Sequence, residues 1–136
     1  MKYVAPPIAT VLILDSEPSM QACLRDALND AGYLVVTSGD LGEAVDRLKE
    51  MRPDLLITRP YINSMPGRMA ADYLRGRRPG LPVLIVAGFM DEDRLNDENA
   101  IGEFFVFPKP FTRAELLSMV KDILEKIRTH ARGART

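Results

Sequence analysis

At 136 residues, with 46% hydrophobic and 27% charged residues, the chain has the size and composition of one globular domain. Its net charge of −1 gives no whole-chain attraction to nucleic acid or anionic membrane, and no apolar run approaches the roughly 20 residues of a membrane span. One cysteine, Cys23, and one histidine exclude an internal disulfide and a Cys/His zinc site, so a reduced, cytoplasmic setting is expected.

Residues 1–9 form an N-terminal extension, in which Pro6-Pro7 breaks what would otherwise resemble a leader. The first apolar run, VLIL (11–14), is too short for a helix. Four more follow, YLVVT (33–37), LLIT (55–58), VLIV (83–86) and FFVF (104–107). Their continuous rather than alternating apolar character predicts strands buried on both faces.

Between the runs the spacing turns helical. From Ser19 to Ala31, Met20, Cys23, Leu24, Ala27 and Leu28 share one face, which places Cys23 and Met20 in the core, and Gly32 stands where a helix would end. Leu41, Ala44, Val45, Leu48 and Met51 form a second apolar stripe. The third intervening segment ends in the basic RGRRPG (75–80), whereas the fourth, 90–102, is acidic and only weakly helical. In the last, Thr112 and Glu115 make a capping box ahead of the apolar face Leu116, Leu117, Val120, Ile123, Leu124 and Ile127. Residues 128–136 read as a solvated basic tail, so the domain spans 10–127.

Five alternations of strand and helix imply an α/β fold with a parallel sheet covered on both faces, whose chemistry collects just beyond the carboxyl ends of the strands. The residues there are Asp15-Ser16-Glu17, Arg59-Pro60, Ala87-Gly88 and Lys109-Pro110.

With VLILDSEPSM at the first strand, PDLLI and a downstream MPG at the third, LPVLIVA at the fourth and FPKPFTRAEL at the fifth, the chain resembles the receiver domains of two-component response regulators. The resemblance runs from about Thr10 to Ile127. It implies a flavodoxin-like (βα)5 three-layer sandwich with strand order 2-1-3-4-5. It also implies a pocket in which two acidic residues hold Mg²⁺, an aspartate accepts a phosphoryl group, and a hydroxyl and a lysine bind its oxygens.

Asp15, Lys109 and Pro110 match that pattern, but Ser16 stands at the second acidic position, with Glu17 beside it as a vestigial substitute. Arg59 falls at the phosphoacceptor, Ala87 at the hydroxyl and Val106 at the aromatic switch. A guanidinium has no lone pair to offer phosphorus, and its charge opposes a divalent cation. The expectation is therefore a degenerate, non-enzymatic receiver without a cofactor, its Mg²⁺ binding weak or lost. In it Arg59 reaches Asp15 or Glu17, with Lys109 sharing the same carboxylates.

Such a protein would act as a single-domain signalling module through protein contacts, with a histidine kinase, phosphotransfer protein or effector as partner. The family's usual output surface, here about 90–127, could also take a second copy. Two other readings are an active relay receiver with an unusual acceptor and a small-ligand-binding flavodoxin-like module. Against the latter stands the lack of any complete glycine-rich phosphate loop, Gly39 and Gly42 being only a fragment.

Overall fold

The computed structural model describes residues 6–87, 104–108 and 111–133, with the backbone alone at 87, 104–108 and 127–133. The elements are β1 (Thr10–Leu14), α1 (Pro18–Asp30), β2 (Leu34–Ser38), α2 (Leu41–Glu50), β3 (Leu55–Thr58), β4 (Tyr61–Ile62), β5 (Met65–Pro66), α3 (Gly67–Arg77), β6 (Val83–Ala87), β7 (Phe104–Pro108) and α4 (Arg113–Gly133).

Five strands pair in parallel in the order β2-β1-β3-β6-β7, which is the predicted 2-1-3-4-5 when the five long strands are counted alone. Side chains alternate across a strand, and β1 shows the result. Val11 and Ile13 pack with Leu24 and Leu28 of α1 and Leu116, Val120 and Ile123 of α4. Leu12 and Leu14 enter the opposite core, with Ala44 of α2 and Ala70, Ala71 and Leu74 of α3. Helices thus cover both faces. The predicted fourth helix, in 90–102, lies outside the described residues, as do residues 1–5 of the extension and 134–136 of the tail.

Local chemistry sets the helix ends. α1 opens with Pro18 in its first turn. It closes in a Schellman motif: Gly32, at φ +101°, donates its N–H to the Asn29 carbonyl, and Tyr33 N–H reaches the Leu28 carbonyl. Asp40 caps α2 by accepting the Glu43 N–H at 2.8 Å. The predicted capping box opens α4: Thr112 Oγ1 accepts the Glu115 N–H at 3.1 Å and Glu115 Oε1 accepts the Thr112 N–H at 3.0 Å.

Three readings of the sequence differ from the structure. Cys23 is exposed rather than in the core: the buried side of α1 is Leu24, Ala27 and Leu28, with Met20 half-buried beside it, and Cys23 lies at the edge of that arc. The helix assigned to end at Ile127 continues to Gly133, because residues 128–132 contain no breaker. The short hairpin β4–β5, turning through Asn63 at φ 57°, was not anticipated. The end of the extension meets the domain through the Ile8 N–H on the Gly32 carbonyl and the Leu34 N–H on the Ala9 carbonyl.

Candidate functional site

At the carboxyl end of the sheet, β1 and β3 run in register from Val11↔Leu55 to Leu14↔Thr58, so the residues that follow them, Asp15 and Arg59, emerge side by side. Asp15 is 1% exposed and still held by the ladder, its N–H bonding the Ser38 carbonyl of β2 at 3.0 Å. Its Oδ1 accepts the Glu17 N–H at 2.8 Å, which folds the chain back toward α1.

Gln21, one turn into α1, was not singled out from the sequence. Its Nε2 donates to the carbonyls of Asp15 at 2.5 Å and Ser38 at 3.2 Å, tying α1 to the ends of β1 and β2. The only cue was its position one turn after Glu17, on a polar side of the helix.

The backbone at Arg59 is gripped from the other side. Gly67 N–H donates to the Pro60 carbonyl at 2.6 Å, and a Cβ at Gly67 would lie 1.9 Å from the Arg59 carbonyl oxygen. Only glycine lets α3 start this close to the strand end. Thr58 Oγ1 donates to that same carbonyl at 3.2 Å. The MPG motif therefore serves to seat the residue at position 59.

So placed, the Arg59 guanidinium stands between two carboxylates: Nη1 is 3.6 Å from Asp15 Oδ1 and 3.4 Å from Glu17 Oε2. Both separations exceed the 2.7–2.9 Å of a tight charge-assisted hydrogen bond. The contact is a Coulombic pairing within a three-residue cluster. Burial is graded across it: the Asp15 side chain is 2% exposed, that of Arg59 32% and that of Glu17 56%. The buried carboxylate is the one that most needs the cation.

Ser16 is exposed, and Asp15 and Glu17 both face the Arg59 guanidinium, whose charge opposes that of a divalent cation.

Of the other predicted pocket residues, Ala87 ends β6 and Val106 lies mid-β7 in register with Ile85. Lys109 and Pro110, and with them the proposed sharing of carboxylates by Lys109, lie outside the described residues. The sheet thus brings together Asp15, Glu17 and Arg59. Among the described residues no helix is long and apolar enough to cross a membrane.

The chain matches the response regulator receiver domain family over residues 11–121. It is 32% identical over 118 residues to the "Probable transcriptional regulatory protein TcrX" of Mycobacterium tuberculosis, the match covering 86% of this chain and 50% of the relative. The chain thus spans about half the length of such curated relatives. Among solved structures it resembles a response regulator receiver protein from Sinorhizobium medicae at a TM-score of 0.74 and 25% identity, covering 88% of this chain and 96% of the other. The chemotaxis protein CheY4 of Vibrio cholerae gives 0.74 and 26%, covering 85% and 98%.

Proposed function

Because the chain belongs to the response regulator receiver domain family, we propose that it is a receiver of two-component signalling whose output no longer depends on phosphate. What supports this reading is Arg59, which the resemblance to the family puts at the acceptor position and whose Nη1 lies 3.6 Å from Asp15 and 3.4 Å from Glu17. A guanidinium cannot form an acyl phosphate. It also supplies, permanently, positive charge beside carboxylates that in the family would face Mg²⁺.

In this reading Arg59 holds the pocket shut and the divalent cation is dispensable. The net stability gained is small, because desolvation of the buried carboxylate offsets much of the attraction. The module is non-enzymatic and cytoplasmic. It signals by contact with a protein, a histidine kinase, phosphotransfer protein or effector, through the surface spanning about 90–127, which could also meet a second copy.

Incubation with acetyl phosphate and Mg²⁺, read by intact mass, tests the proposal. No added phosphate is expected. A stoichiometric gain of one phosphate would overturn it in favour of an unusual acceptor, which peptide mapping would locate.

A further inference from the structure

α3 turns Ala70, Ala71 and Leu74 into the core, each 0% exposed, and leaves the opposite side of the helix bare. On that side Met69 is 58% and Tyr73 49% exposed, and beside them a Cβ at Gly76 would meet nothing within 4 Å. The spacing from Met69 to Tyr73 to Gly76 is four and then three residues, the a/d seam of a helix that packs against another helix. Arg77 is already arranged on this seam, its guanidinium carbon 5.0 Å from the Tyr73 ring centroid and its Nη2 donating to the Tyr73 hydroxyl at 2.7 Å.

The flanking charges identify what covers it. With Met69 and Gly76 at d and Tyr73 at a, Asp72 occupies g and Arg77 the following e, five residues on. That is the spacing at which g of one helix meets e of its neighbour in a parallel pair. On its own helix Asp72 is too far round to reach Arg77, and no ion pair among the described residues occupies Asp72. A parallel two-fold contact between copies pairs each Asp72 with the other's Arg77, whereas an antiparallel one sets Asp72 against Asp72 and Arg77 against Arg77.

We propose that the outer face of α3 is a self-association surface, on which a second copy of this chain packs its own α3 in parallel. The two Tyr73 rings meet at the two-fold axis, the two Gly76 positions leave room for them, and two Asp72–Arg77 pairs set the orientation. This contact is independent of the phosphate-free reading of Arg59 and distinct from the 90–127 surface.

Sedimentation velocity on the full chain, from about 10 µM to about 1 mM where a small interface associates, should show the mass rising toward that of a dimer. Asp72→Arg and Arg77→Asp should each weaken association by about tenfold or more, and the double reversal should bring it back to within about threefold of the original. All these positions are exposed, so circular dichroism should be unchanged in each variant. A monomer throughout the range, single reversals without effect, or a double reversal that fails to restore association would each overturn the proposal.

Discussion

At the amino end of the sheet, Asp54 accepts the Thr10 N–H at 2.8 Å and returns its own N–H to the Thr10 carbonyl, also at 2.8 Å. At the carboxyl end, buried Asp15 accepts the Glu17 N–H at 2.8 Å and faces a guanidinium across 3.6 Å. The first carboxylate is exposed and bonds backbone, so no other side chain has to be of a particular kind to suit it. The second depends on a charge delivered by the neighbouring strand, so the residues at 15 and 59 are chosen together. The ordinary end of the sheet needs one side chain of a particular kind, and the specialised end needs two that suit each other.

The largest expected effect comes from the scaffold that holds the specialised end. Gly67→Ala should lower unfolding free energy by roughly 3 kcal/mol or more, since its Cβ meets backbone rather than a pliable side chain. Urea denaturation checks this, and a loss under about 1 kcal/mol would mean that α3 and the strand end part easily.

Asp15→Ala should cost about 2 kcal/mol, through the Glu17 N–H bond and the pairing with Arg59. Glu17→Ala, removing the exposed half of the cluster, should cost a few tenths. Equal losses would erase the gradation by burial, and an Asp15→Ala protein of unchanged stability would refute the pairing itself.

Asp54→Ala should cost about 1 kcal/mol, with little dependence on salt, whereas the coupling between Asp15 and Arg59 in a double-mutant cycle should shrink as ionic strength rises. The same salt response at both ends would dissolve the contrast.

The smallest effect is a titration at the amino end. Tyr33, 8% exposed, has its phenol raised above the usual value of 10.0 by burial and then by the nearby Glu125 carboxylate. Its contribution is therefore complete below pH 10 and is lost as pH rises through the higher folded value. Tyr33→Phe should flatten the stability profile in that alkaline range and leave it unchanged at neutral pH.

The strands were legible because a strand buried on both faces is written as a continuous apolar run, and LLIT coincides residue for residue with β3. Arg59 could be placed because a full charge at a strand end is conspicuous once the strands are in order. The hairpin at 61–66 was missed because each arm has only two residues, too few for any period to show, and its one cue was Asn63. Cys23 was misjudged because an apolar arc has edges that spacing alone does not resolve. The helix runs past the expected boundary at Ile127 because a polar, basic stretch can be helical without showing an apolar period, and Gly133 is its last residue. Pairwise geometry, such as Gln21 bridging two strand ends, leaves only a faint mark in one dimension, here its place one turn after Glu17.

The close approach of Gly67 to the Arg59 carbonyl fixes the strand end independently of the side chain at 59. The main chain at 59 and 60 is held by the Gly67 N–H on the Pro60 carbonyl and by the Thr58 hydroxyl on the Arg59 carbonyl, not by the guanidinium. The socket therefore keeps its shape whichever side chain occupies it. Exchanging the side chain there would change the charge that faces Asp15 and Glu17 without redrawing the chain that carries it.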